Sequence, residues 1–245
     1  MNKIAKGLLA AAKKLRSQLD TLTFSAPVDC VYNPIHYAWA AHQQYLERYA
    51  SIPCRAFLLG MNPGPWGMAQ TGVPFGEINA VRDYLGIEEK ISKPHREHPK
   101  RPIEGFECTR SEVSGKRLWG LFAARYPNPV DFFADHFVAN YCPLVFMDEG
   151  ARNVTPDKLP AAEAKPLDAF CDQHLQQVLM LLQPEFAIGV GAYAQSCLQR
   201  VCCANPKLDR ISVSKILHPS PASPAANRDW TGQATKQLIE AGVWL

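Results

Sequence analysis

Apolar residues recur along the chain at two different periods, and the switches between them divide it into elements. Ile4, Leu8, Ala11, Leu15 and Leu19 fall on one face of a helix over residues 2–20, with lysines and Arg16 on the other. Tyr37, Trp39, Tyr45, Leu46 and Tyr49 predict a second helix over 36–50. Residues 56–59 form a short unbroken apolar run, which reads as a buried strand. Helical spacing returns over 77–85 through Ile78, Val81 and Leu85, and again over 118–124. A second strand is predicted over 136–139. A Pro- and Ala-rich connection follows over 151–166, then a long helix over 167–182 that stops near Pro184. A third strand (186–190), a helix (192–202), a fourth, alternating strand (211–217) and a closing helix (233–241) complete the pattern. Strands that alternate with helices imply parallel pairing with crossovers. The expected fold is α/β: one domain over 1–245, with a central, mainly parallel four-stranded sheet flanked by helices on both faces. Residues 1–30 supply its N-terminal helix and lead-in.

In such sheets ligands bind beyond the carboxyl ends of the strands. Asn62 follows the first strand, Asn140 ends the second, and His218 follows the fourth. These polar side chains are expected to converge on one mouth. The first strand also runs into Gly60-Met61-Asn62-Pro63-Gly64-Pro65-Trp66-Gly67, continued to Gly72-Val73-Pro74-Phe75-Gly76-Glu77. Gly and Pro at this density exclude a continuing strand or helix. A loop this long inside a compact domain is functional or disordered, and its aromatics argue against disorder.

Composition narrows the picture only a little. The chain has 245 residues with 47% hydrophobic and 20% charged, ordinary for one globular domain. A net charge of +3 permits nucleic-acid binding without arguing for it. The basic residues are densest between Lys90 and Arg117, which suggests a segment that tracks phosphates. Eight cysteines show no Cys-x-x-Cys spacing and read as reduced, packed thiols. A metal held by His95, His98 and Cys108 is set aside, and no metal or cofactor is expected. The apolar run 8–12 is too short for a signal peptide, and no stretch approaches membrane-spanning length. A cytoplasmic, DNA-associated monomer with no membrane contact is expected.

Gly60-Met61-Asn62-Pro63-Gly64-Pro65 with Gly72-Val73-Pro74-Phe75-Gly76-Glu77 resembles the first motif of the single-strand-selective monofunctional uracil-DNA glycosylases, in particular a bacterial member. His218-Pro219-Ser220-Pro221, continuing to Asn227 and Trp230, resembles their second motif. The segments 97–102 and Ser111-Glu112-Val113-Ser114-Gly115 also match. The resemblance implies a monofunctional DNA glycosylase. It would flip uracil, 5-hydroxymethyluracil or 5-formyluracil from single- or double-stranded DNA and hydrolyse the N-glycosidic bond, starting base excision repair. Oxidised or deaminated bases such as xanthine are within its expected range. Catalytic roles fall on Asn62 and His218. Gly60, Met61, Gly64, Phe75 and Asn140 would surround the base. Lys100, Arg101, Pro219, Ser220, Pro221, Ala222, Ser223, Asn227 and Arg228 would meet the DNA. Ala222 and Ser223 stand where relatives often carry a basic residue and an amide, which implies a weak wedge into duplex DNA.

The residues suit that chemistry in their own right. The set holds no paired carboxylate, no Gly-x-Ser-x-Gly elbow and no motif lysine for a Schiff base. Two amides, an imidazole and a ring suit a leaving group whose charge need only be held. His218 would donate to a carbonyl oxygen of the departing base. Asn62 would orient water toward an oxocarbenium-like sugar. Phe75 would stack on the flipped base. Asn140 would read N3–H and O4, but the same amide turned over suits cytosine, so other groups must fix it. Gly189-Val190-Gly191-Ala192-Tyr193-Ala194 matches the dinucleotide fingerprint and offers an oxidoreductase as the rival reading. It sits on the third strand rather than the first, and no acid ends the next strand. A non-catalytic DNA-binding module is the third class.

Overall fold

The N-terminal stripe forms α1, Lys3–Leu19, in the computed structural model, which describes residues 2–50 and 52–245. Asn2 caps it, its Oδ1 accepting from the Ala5 amide at 2.8 Å. Ala5, Leu8, Leu9, Ala12, Leu15 and Leu19 are buried. Each buried leucine contributes about 1.5–3 kcal/mol, so this face anchors the helix. Strand β1 is Cys30–Tyr32, and the helices α2 (Pro34–Tyr37) and α3 (Trp39–Tyr49) follow it. Strand β2, Ala56–Gly60, is buried at every position, as an interior parallel strand should be.

Beyond the loop come the one-turn helix α4 (Met68–Thr71), α5 (Val113–Arg125), α6 (Pro129–Asp135) and β3 (His136–Asn140). Then follow β4 (Val145–Met147), β5 (Asn153–Val154), α7 (Ala161–Leu182), β6 (Phe186–Val190), α8 (Ala192–Cys203), β7 (Ser212–Ile216) and α9 (Pro224–Glu240). The main sheet has strand order β3-β2-β6-β7, with every pairing parallel. Leu58 aligns with Val138 on one side and Ile188 on the other. Helix α8 packs on β6 and β7, α9 on β7, α6 on β3, and α1 on α7. This is the α/β architecture read from the alternation of elements.

Several elements differ from the sequence reading. A second, three-stranded antiparallel sheet, β1-β4-β5, was not expected. Strands of two and three residues carry too few positions to show alternation. Helix α7 starts at Ala161 and carries Pro166 inside it, so the expected connection 151–166 is partly helical. Helix α5 starts at Val113 rather than 118, and α9 at Pro224 rather than 233. A non-helical Asp229 kinks α9, which breaks its periodicity. The helix expected over 77–85 is present over 78–84, but its Ala80–Tyr84 part is π-helical. Helix α6 is too short to declare itself by spacing, although Asn128 caps it at 3.1 Å and Pro129 opens it. All eight cysteines are free thiols, and Cys203 alone of them is exposed. Among the described residues no helix is long and apolar enough to cross a membrane.

Candidate active site

The carboxyl ends of β2 and β3 continue one register past the sheet. The Tyr141 amide donates to the Gly60 carbonyl and the Cys142 amide to that of Met61, both at 2.9 Å. This ladder holds the start of the loop against the chain leaving β3, and it delivers the Leu144 carbonyl to Asn62. Asn62 Nδ2 donates to that carbonyl at 3.1 Å. Asn62 Oδ1 is buried and has no partner among the described residues. An unmet buried acceptor costs about 1–3 kcal/mol. The amide is thus fixed with its nitrogen satisfied and its oxygen presented, the orientation needed to accept a hydrogen bond from water.

Gly60 lets Phe75 and Asn140 come together. A Cβ there would collide with Asn140 Oδ1 and stand 2.5 Å from Phe75 Cε2, so only glycine lets ring and amide meet. Phe75 is buried, with φ of 52°. Its strained backbone is held by neighbours: Trp119 Nε1 donates to the Pro74 carbonyl at 3.2 Å, and the Glu77 amide to the Phe75 carbonyl at 2.7 Å. Asn140 Nδ2 lies 3.3 Å from Met68 Sδ, a weak acceptor. This contact sets the amide orientation that the sequence left open, with Nδ2 anchored and Oδ1 facing Gly60.

Asn62, Met61, Gly64, Phe75, Asn140 and His218 line one cleft of about 510 Å³, and Ser220 and Pro221 form part of its wall. A smaller void of about 40 Å³ lies behind Asn140 and Met68, with His42 and His174 on its far side. Burial holds the His218 imidazole below its ordinary pKa, so the ring is neutral at pH 7. Its ring nitrogens make no hydrogen bond to other described residues. The ring rests on Gly191, where φ is +96° and a Cβ would lie 3.4 Å from His218 Cδ2. Gly189 is occupied too, since a Cβ there would collide with the Gln195 amide nitrogen at the start of α8. The fingerprint glycines therefore serve strand–helix packing and the His218 seat. The fingerprint is thus accounted for by packing and by the seat of His218, without a dinucleotide.

The second-motif loop is stapled from within. Arg117 Nη1 donates to the Pro219 carbonyl at 3.1 Å, and Nη2 to Asn227 Oδ1 at 2.9 Å. Asn227 Nδ2 donates to the Pro221 carbonyl at 2.8 Å. Ser220 Oγ accepts from the Ala222 amide at 3.1 Å, and Ser223 caps α9 through the Ala226 amide at 3.3 Å. Asn227 is thus engaged in shaping the loop, Pro219 is buried, and Ala222 and Arg228 are exposed. In the basic segment, Lys93 pairs with Glu97 and Arg96 with Asp29, which neutralises them. Lys100 is exposed, and Arg101 lies 5.0 Å from the Trp66 ring, with Arg110 at 5.7 Å from the same ring. Trp66 lines the cleft, so the charge of this segment reaches the site through its rim. His98 uses both ring nitrogens on its own backbone surroundings, Nδ1 accepting from the Lys100 amide at 3.1 Å and Nε2 meeting the Glu149 carbonyl at 3.2 Å.

Sequence reasoning passed over Glu112, Trp66 and Met68, and it placed Arg117 in the phosphate-tracking segment, whereas the side chain staples the second-motif loop. The first two stand inside quoted motifs, but nothing in a linear pattern shows that they face the cleft. Glu112 lines it, and burial raises its carboxyl to about 7.

Comparison with known proteins shows the family. The model of the uracil DNA glycosylase superfamily matches residues 48–239. The chain is 45% identical over 240 residues to the single-strand selective monofunctional uracil-DNA glycosylase of Rattus norvegicus, covering 98% of this chain and 86% of the relative. The Mus musculus protein of that name is 44% identical, with 98% and 85% covered. The crystal structure of wild-type Pedobacter heparinus SMUG2 shares the fold, with a TM-score of 0.70 at 16% identity over 98% of this chain and 97% of that one. The chain belongs to the uracil-DNA glycosylase superfamily and, within it, to the single-strand-selective monofunctional uracil-DNA glycosylases.

Proposed function

We propose that this uracil-DNA glycosylase takes a flipped uracil into the cleft beyond β2, β3 and β7 and hydrolyses its N-glycosidic bond. The observation that carries the reading is Asn62: a buried amide whose nitrogen is tied to Leu144 while its oxygen is left as an unmet acceptor beside His218 in one cleft. Phe75 stacks on the base. Asn140 accepts from N3–H through Oδ1 and donates to O4 through the hydrogen of Nδ2 not directed at Met68. Neutral His218 donates to O2 as the C1′–N1 bond lengthens and negative charge gathers on the base. Water on Asn62 Oδ1 meets the oxocarbenium-like sugar, for which orientation counts for more than deprotonation. The substrate is DNA with an accessible uracil, in a single strand or a duplex. Flipping costs a few kcal/mol, least for an unpaired base. Uracils with small 5-substituents, such as hydroxymethyl and formyl, and xanthine belong to the proposed range. Lys100, Arg101 and Arg228 contact phosphates, the 219–223 loop borders the gap left by the base, and the enzyme acts as a monomeric single domain in base excision repair.

Single-turnover release of uracil from an oligonucleotide, together with a binding titration, tests this. His218→Ala is expected to lower the chemical step by about 10²–10³ while leaving DNA affinity nearly unchanged. An unchanged rate, or a loss explained wholly by binding, overturns the assignment.

A further inference from the structure

When water becomes the hydroxyl on C1′ it loses a proton that the departing base anion regains only in the net reaction, so a group near the water must hold it meanwhile. The Asn62 amide is not basic, and His218 is engaged as the donor to the base. Glu112 is, among the described residues, the one carboxyl group lining the cleft with Asn62 and His218. It stands at the N-terminus of α5, with its side chain turned against the loop that begins at Asn62. A Cβ on Gly64 would lie 3.6 Å from Glu112 Oε1, and a Cβ on Gly67 would collide with Oε2. The carboxyl thus packs directly against both glycines of the loop.

The charged surroundings of this group are few. Desolvation raises its pKa to about 7, partly offset by the Gly115 amide, with a smaller raising contribution from the negative charge of Glu77. Glu77 is itself satisfied, accepting from Ser111 Oγ at 2.9 Å and from the Ala80 amide at 3.0 Å. Arg110 and Lys116 flank Glu112 in the chain but form no ion pair with it among the described residues. Arg110 lies over Trp66, 5.7 Å from the ring centroid. His218, in the same cleft, is held neutral by burial. A carboxyl group poised near neutral pH, unpaired with any cation, is the kind of group that exchanges a proton during turnover.

We propose that Glu112 is the proton acceptor of the hydrolytic step. Water held by Asn62 Oδ1 forms a bond to C1′, and the C1′–N1 bond breaks with its electron pair passing to the base, where His218 donates to the anion. The proton lost by the water goes to the Glu112 carboxylate, directly or through one further water, and is then released to solvent, from which the base anion takes a proton at N1 as it leaves. The inference rests on the glycosylase reading above and adds to it the group that balances the reaction.

The test is the pH dependence of single-turnover uracil release from a single-stranded uracil oligonucleotide, from about pH 5.5 to about 9, for the parent, Glu112→Gln and Glu112→Asp. Affinity is measured in parallel with an uncleavable 2′-fluoro analogue. The parent is expected to gain rate with pH, with the midpoint near about 7 where the carboxyl ionises, and to level off above it. Glu112→Gln should lower the plateau by about 10²–10⁴ and abolish the acid limb, with affinity unchanged. Glu112→Asp should keep a limb, displaced along the pH axis, and lose less. Glu112→Gln with the parent plateau overturns the proposal. So does a slowed Glu112→Gln enzyme that keeps the parent limb, because that result describes a structural support. If Glu112→Gln does not fold, Glu112→Asp decides, and an unmoved limb overturns the proposal. A parent enzyme that releases no uracil overturns the glycosylase reading instead, so the two failures are distinguishable.

Discussion

Gly191 seats the His218 ring: at φ of +96° its backbone passes so close that a Cβ would stand 3.3 Å from His218 Cβ and 3.4 Å from Cδ2. An L side chain is strained at that φ, and the added methyl would press on the imidazole. Gly191→Ala is therefore expected to slow uracil release by about 10–10², through a displaced donor, and to destabilise the fold by about 1–3 kcal/mol. Single-turnover kinetics and chemical denaturation check both. A variant that loses stability while keeping the parent rate would show that the His218 ring tolerates the shift.

Asn62 presents an oxygen because Leu144 holds its nitrogen. Asn62→Ala removes the water's acceptor and should lose about 10²–10³ in the chemical step. Asn62→Asp keeps an acceptor but loses the donor to Leu144, so it should retain activity with an altered pH dependence. Rates measured across pH for both variants check this; parent activity in Asn62→Ala would remove Asn62 from the reaction.

Glu112 also carries a consequence for stability. Its folded pKa of about 7 lies above the ordinary carboxylate value, so the folded protein keeps the proton to higher pH than the unfolded chain does. Its contribution is fully present below about pH 4.5 and is lost as pH rises toward about 7. Glu112→Gln stays neutral throughout. It should therefore be more stable than the parent at about pH 8, by at most about 3 kcal/mol, with the difference vanishing near about pH 4.5. Urea denaturation at the two pH values reads this directly, and an equal difference at both would mean that the carboxyl is not buried as described.

Ala222 is exposed at the tip of a loop that Arg117 and Asn227 hold in shape. Ala222→Arg adds a stem and a planar head to fill the space left by a flipped base and to hold off its orphaned partner. Its phosphate contact helps single and double strands alike and fades with salt. The ratio of duplex to single-strand rates should rise, and the rise should persist at higher salt. A ratio unchanged at both salt concentrations would place Ala222 away from the duplex.

Local order alone determined a good deal about this protein. Unbroken apolar runs such as Phe57-Leu58-Leu59 can be satisfied only as interior strands, and helical spacing between strands leaves parallel pairing as the outcome. Once that sheet was legible, Asn62, Asn140 and His218 had to lie at its carboxyl edge. Tertiary structure decided whatever depends on contacts distant in the chain. Strands β1, β4 and β5 exist only through pairing, because segments so short have no periodicity of their own. Whether Asn62 offers oxygen or nitrogen is settled by a carbonyl 82 residues away. Glycines that spell a dinucleotide fingerprint became the seat of His218 and the packing surface of α8. Glu112, an ordinary surface acid by composition, became a partly buried carboxyl of the cleft, its pKa raised to about 7, because the glycine loop packs beside it. Periodicity is written in neighbouring residues and can be read from them. Burial, amide orientation and a shifted pKa are properties of the space between elements, which exists only once the elements have packed.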